Sequence, residues 1–207
     1  MLYVAHRGVC SRVKENSLEA INLAIYDDRY HGVEIDVQLC KSGELVLHHD
    51  LYLHSNWIKD LTYDELKLYD IISLKDMYDK IPFVYEKMLI IDIKGNDYKI
   101  IEELNLFYSL MCTKHVYFCS FNRPMLNDLN PKFKIGRTFE AFFSVDEYPV
   151  IFHNIDLVIL HWTCLNHTLI DYCKSNNIHV FTYTHKNALE HKHMSSFDID
   201  GIITNGI

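Results

Sequence analysis

Short apolar runs alternate with segments of helical periodicity along the whole chain. LYVAH (2–6), GVEIDVQL (32–39), LIIDIK (89–94), VYFCSF (116–121), KIGRTF (134–139), DLVIL (156–160), HVFTYT (179–184) and GIIT (201–204) are rich in β-branched or aromatic residues and read as strands. ELVLH (44–48), turned back by Ser42-Gly43, reads as a hairpin return on the second strand. Between the strands, Leu18, Ile21 and Ile25 mark an apolar helix face, and Asn16 with Glu19 has the spacing of a capping box. DLTYDELKLY and SLKDMYDK predict two short helical pieces between 60 and 80. Further helices are predicted at 98–110, at RPMLNDL with Pro124 near its start, at 166–176 and at 186–196.

Eight strands alternating with helices predict a parallel α/β architecture. Closed on itself it is a (β/α)8 TIM barrel, expected as one domain over residues 1–207; an open doubly wound sheet is the alternative. No G-x-G-x-x-G and no G-x-x-x-x-G-K-[ST] supports a nucleotide site.

Composition removes several function classes. A net charge of -8 argues against binding nucleic acid through phosphate attraction. No stretch approaches the roughly 20 apolar residues of a membrane span. MLYVAHRG lacks the basic region of a secretory signal, so a cytoplasmic location is expected. The six cysteines show no C-x-x-C pair, which predicts reduced thiols rather than a disulfide or zinc framework. Gly (7) and Pro (4) are scarce, and no linker divides the chain.

In a barrel the chemistry gathers where strands end at their C-terminal face. The first strand ends in His6-Arg7-Gly8, the second carries Glu34 and Asp36, the hairpin return ends in His48-His49-Asp50, and the third carries Asp92 and Lys94. Side chains two apart in a strand share a face, so Glu34 and Asp36 point together, as do Asp92 and Lys94. Their neighbours Val33, Ile35, Val37, Ile91 and Ile93 face the helices. Buried carboxylates on adjacent strands repel one another and need a cation. Lys94 or Arg7 satisfies them in one reading. In the other, one divalent cation does, and all-oxygen ligation favours Mg²⁺ or Ca²⁺ over zinc. His48 and His49 point oppositely if the strand persists, so one of them joins His6 beside the acids.

These residues resemble a known family. HRG, then ENSLEAI, then GVEIDVQLCKSGELVLHHD follow the order and spacing of H-R-G, E-N-T, E-x-D-V, K-D-G and H-D in the glycerophosphodiester phosphodiesterases. DIK (92–94), CSFN (119–122) and GIIT (201–204) extend the resemblance over essentially the whole chain. The resemblance implies a metal-dependent phosphodiesterase on a (β/α)8 barrel, cleaving a small-molecule phosphodiester to glycerol 3-phosphate and an alcohol. It implies that Glu34, Asp36 and Asp92 hold one Mg²⁺ or Ca²⁺ and that His6 and His49 act as acid and base. It also implies that Arg7, Lys94, Glu15 and Asn16 meet the substrate. It places the family's histidine on His49 and leaves His48 at a variable position. Two other readings are carried beside it: a lysophospholipase D reaching lysolipids from the membrane periphery, and a degenerate barrel that binds a phosphodiester without cleaving it.

The chain also departs from the family's pattern. Asp92 stands where a Glu is usual, and Tyr183-Thr184-His185-Lys186 where W-T-V-N is common. The region after Asp50 is short where larger relatives carry an insertion, which predicts a more open site.

Overall fold

In a computed structural model, which describes residues 1–207, eight parallel strands close on one another. The elements are β1 (Leu2–His6), α1 (Leu18–Tyr26), β2 (Gly32–Leu39), β3 (Leu45–Leu47), β4 (Tyr52–Leu53), β5 (Asn56–Trp57), α2 (Tyr63–Lys67), α3 (Leu74–Lys80), β6 (Met88–Ile93), α4 (Lys99–Phe107), β7 (Val116–Cys119), β8 (Lys134–Phe139), α5 (Tyr148–Ile151), β9 (Leu157–His161), α6 (His167–Ser175), β10 (His179–Tyr183), α7 (Ala188–Met194) and β11 (Gly201–Thr204). The barrel runs β1-β2-β6-β7-β8-β9-β10-β11 and back to β1. Val4 pairs with Gly32 on β2 while Leu2 pairs with Gly201 on β11, and this double pairing of β1 rules out the open doubly wound sheet.

The alternation of each strand sorts its side chains between two cores. Val33, Ile35, Val37, Ile91, Ile93 and Phe118 face outward into a core shared with α1, α3 and α4. Val4, Ile90, Cys119, Leu157, Ile159, Phe181 and Ile203 fill the barrel. Each fully buried aliphatic contributes about 1.5–3 kcal/mol, so the two cores hold the strands in register. On β6, Ile90 belongs to the barrel plug, and Asp92 continues the same inward row toward the C-terminal end. The outer layer is incomplete, since a 3-10 segment (Arg123–Asp128) stands between β7 and β8 in place of an α-helix.

Three local expectations change. The helix cap is Ser17, whose Oγ accepts from the Ala20 N–H at 3.1 Å, and not Asn16. Asn16 is left-handed (φ 54°) and its side chain turns inward to Asp36, because a buried carboxylate without partners costs more than a cap contributes. The hairpin return ends at Leu47, one residue before His48. A two-stranded ribbon, β4 with β5, follows it where only short helices were expected.

Gly8 closes the turn after β1. Its φ is +83°, and a Cβ there would lie 2.5 Å from the Ala20 carbonyl carbon, so the H-R-G turn rests directly on α1. No helix is long and apolar enough to cross a membrane.

Candidate active site

The strand ends converge on a cavity of about 230 Å3 at the C-terminal face. His6, Arg7, Glu34, Asp36, His49, Asp92 and Lys94 all line it, so residues from β1, β2, the β3 return and β6 share one wall. The register explains the meeting. His6 is the β-partner of Glu34, and Asp36 is the partner of Asp92.

Glu34, Asp36 and Asp92 are buried, and one ligand oxygen from each lies within 4.8 Å of the others. Burial, and then the charges of Asp36 and Asp92, push the Glu34 carboxyl well above the ordinary carboxylate range. Burial also raises Asp92, against the pull of Lys94. Asp36 goes the other way: Lys94 and Arg7 outweigh its burial and hold it ionised. Lys94 Nζ lies 2.5 Å from Asp92 Oδ2 and 3.0 Å from Asp36 Oδ1, and Arg7 Nε lies 3.2 Å from Asp36 Oδ2. Of the two ways of balancing the acids foreseen from the sequence, the structure holds the first: Arg7 and Lys94 pair with Asp36, and Lys94 with Asp92, while Glu34 Oε2 accepts the Arg7 N–H at 3.1 Å. The oxygen donors fit a hard divalent cation, because Asp92 Oδ1 is buried with no hydrogen-bond partner. Four carboxylates, Glu34, Asp36, Asp92 and Glu140, line the cavity beside two cationic side chains, Arg7 and Lys94, an acid excess that a bound divalent ion would offset.

Both histidines are held by Nδ1. His6 Nδ1 lies 2.7 Å from Asn205 Oδ1, and His49 Nδ1 lies 2.8 Å from Asp50 Oδ1. An oxygen acceptor at Nδ1 keeps the ring proton there and leaves Nε2 as the free basic atom. His6 Nε2 is 3.9 Å from Glu34 Oε2. Burial, and then Arg7, lower the His6 pKa below its ordinary value. His48 is turned away, its Nε2 3.4 Å from the Tyr52 carbonyl oxygen.

Residues 6–207 match the sequence profile of the glycerophosphoryl diester phosphodiesterase family. The chain belongs to that family. A glycerophosphodiester phosphodiesterase from Caldanaerobacter subterraneus subsp. tengcongensis is 29% identical over 229 residues, covering 98% of this chain and 93% of the relative. The crystal structure of the glycerophosphodiester phosphodiesterase from Thermotoga maritima superposes with a TM-score of 0.81 at 24% identity, over 99% of this chain and 94% of that one. A phosphodiesterase from Oleispira antarctica, solved with the product sn-glycerol-3-phosphate, gives a TM-score of 0.85 at 20% identity, over 99% and 93%. The barrel is the family's fold, and the protein is an enzyme of this family.

Glu15 and Asn16, expected to meet the substrate, do not line this cavity. Glu15 accepts both of its hydrogen bonds from Arg7 Nη1, at 2.9 and 3.0 Å, and does not line the cavity. Asn16 is buried behind Asp36 and spends its whole amide on it. Both therefore hold a cavity residue in place.

Other lining residues were not singled out as site residues from the sequence. Thr138, Glu140, Tyr183 and Thr184 come from β8, β10 and the residues just after them, and Phe121 follows β7. Tyr183 Oη is buried without a partner, and burial raises its pKa. Asn205 follows β11 directly. Reading the residues after the late strands as closely as those after the first ones would have found Glu140 and Asn205.

Proposed function

We propose that this cavity hydrolyses glycerophosphodiesters to glycerol 3-phosphate and an alcohol. In this reading Glu34, Asp36 and Asp92 hold one divalent cation, Mg²⁺ or Ca²⁺. The cation supplies positive charge to the phosphoryl oxygens. Arg7 and Lys94 add theirs to the same oxygens as negative charge builds there. One histidine takes the proton of the attacking oxygen at Nε2, and the other returns a proton to the departing alcohol oxygen. One P–O bond forms, one breaks, and a water molecule is consumed over the whole reaction. An imidazole suits both proton transfers near neutral pH.

The observation that carries the reading is the shared cavity: two Nδ1-anchored histidines and a triad of buried carboxylates face one space. A barrel that only bound the diester would have no use for both histidines. The family match and the Oleispira antarctica relative, solved with sn-glycerol-3-phosphate, support the substrate class.

The test is release of glycerol 3-phosphate from glycerophosphocholine and glycerophosphoethanolamine, with Mg²⁺, with Ca²⁺ and with EDTA, for the wild type and His49→Ala. Cation-dependent turnover is expected. His49→Ala is expected to lower kcat by about 10²–10⁴-fold, the usual weight of a general acid or base. Turnover unaffected by EDTA would remove the cation from the reading, and full activity in His49→Ala would remove the acid–base pair.

A further inference from the structure

Two arginines on the outer side of β8 have no part in the hydrolysis just described. Gly136 and Thr138 point inward, Gly136 against Cys119 and Thr138 into the cavity. Alternation along the strand therefore turns Ile135, Arg137 and Phe139 outward. The cover on that face is thin. The 3-10 segment Arg123–Asp128 stands on one side, and α5, four residues long, on the other. Phe139, Phe143 and Phe152 pack edge to face there.

Both guanidiniums belong to this aromatic cluster. Arg123 Cζ lies 4.9 Å from the centroid of the Phe139 ring. Arg137, two residues before Phe139 on the same face, donates from Nη1 to the Ile151 carbonyl at the end of α5, at 2.5 Å. Its Nε is buried with no hydrogen-bond partner. Of the arginines in the chain, Arg7 and Arg29 form ion pairs with carboxylates, and Arg12 is exposed to water. Arg123 and Arg137 are half-buried and pair with no acid. Burial, and then the charge of Arg123, lower the Arg137 pKa, and no carboxylate pulls it back.

A charge taken part-way out of water is normally paired, because an apolar surround returns little of the lost hydration. Two guanidiniums that repel each other beside three phenyl rings are short of an anion. The planar fork of arginine matches the oxygens of a phosphate group. A phosphomonoester carries a charge of about -1.5 to -2 near neutral pH, enough to meet both arginines at once.

We propose that Arg123 and Arg137 form an anion site on the outer face of β8 that binds a doubly charged phosphate group, as free inorganic phosphate or as a phosphomonoester. Arg123 offers its guanidinium edge, and Arg137 the donors that Ile151 leaves over. Neither arginine lines the phosphodiesterase cavity, and β8 stands between the two places with Thr138 on its inner face. The site does not depend on the phosphodiesterase reading.

The test is thermal denaturation of the whole chain at constant ionic strength, with sodium chloride, inorganic phosphate or glycerol 3-phosphate. EDTA keeps divalent cations from carrying phosphate into the first cavity. For a site of millimolar affinity, about 10 mM of the recognised anion is expected to raise Tm by about 3–6 °C over chloride. Arg123→Gln is expected to lose most of that rise and to weaken phosphate binding in calorimetry by about tenfold or more. Arg123→Lys, which keeps the charge and loses the fork, is expected to retain part of it. A larger rise with glycerol 3-phosphate would make the occupant a phosphomonoester, and a larger rise with inorganic phosphate the free ion. Equal Tm in chloride and in both phosphates would overturn the site. A rise of full size in folded Arg123→Gln would also overturn it, and would place the anion on Arg7 and Lys94 of the first cavity.

Discussion

Asn16 and Asp36 hold each other by two hydrogen bonds: Asn16 Nδ2 donates to Asp36 Oδ2 at 2.8 Å, and Asn16 Oδ1 accepts the Asp36 N–H at 3.1 Å. The left-handed backbone of Asn16 and its N–H bond to the Arg7 carbonyl at 2.9 Å aim the amide at the carboxylate. Asn16→Ala removes both bonds and places a Cβ residue without a local hydrogen-bonding side chain in that conformation. We expect a stability loss of about 1–3 kcal/mol from the unpaired buried groups. Cation affinity is expected to fall about 10–100-fold, since the amide orients a carboxylate proposed to hold the cation. Thermal denaturation and cation titration of the same variant separate the two effects. An unaltered affinity would make Asn16 a folding residue only.

The raised pKa of Glu34 has a definite sign. Without a cation, folded Glu34 keeps its proton at pH values where the unfolded chain has lost it. Its contribution to stability is therefore full below the ordinary carboxylate pKa of roughly 4.3 and is lost as pH rises through the folded value. Comparing wild type with Glu34→Gln in EDTA isolates this contribution, because other groups titrate in both. The difference in Tm, variant minus wild type, should grow in the variant's favour between pH 5 and 8. A difference independent of pH would show that Glu34 is ionised throughout. Cation binding should also release a proton, visible as a calorimetric heat that changes with the buffer.

Asn205 sets the tautomer of His6 through Nδ1. Asn205→Ala leaves the ring free to rotate and to move its proton, and kcat should fall by about tenfold or more while KM changes little. Asn205→Asp restores an acceptor but adds a negative charge, which raises the His6 pKa. Its acidic limb in the pH–rate profile should then move to higher pH. A variant lacking the shift would place His6 outside the titrating step.

The barrel was legible because its signal is periodic. Eight apolar runs, each four to eight residues long, name the strands, and the two-residue spacing in EID and DIK places the carboxylates and Lys94 on the inner face. The motif H-D chose His49 over His48, and the structure puts His49 at the cavity and turns His48 to the Tyr52 carbonyl. Non-local demand was not legible. Local spacing made Asn16 a helix cap, but its partner is a carboxylate 20 residues away in sequence. Glu15 and Arg7 are a similar case, since nothing in E-N says that the acid is spent on the arginine. The ribbon of β4 and β5 is two residues a side, too short to leave a pattern.

Closure of the barrel also orders events in time. His6 lies on the first strand, and the oxygen that fixes its ring belongs to Asn205, 199 residues later. β1 has one neighbour, β2, that emerges early in synthesis, and another, β11, that emerges last. A ribosome-bound chain thus carries its acids, both histidines and its arginine long before it can assemble them. The cavity is a product of the finished ring, lined from β1 and β2 to β10 and β11, and an unfinished chain exposes its future site residues as ordinary side chains.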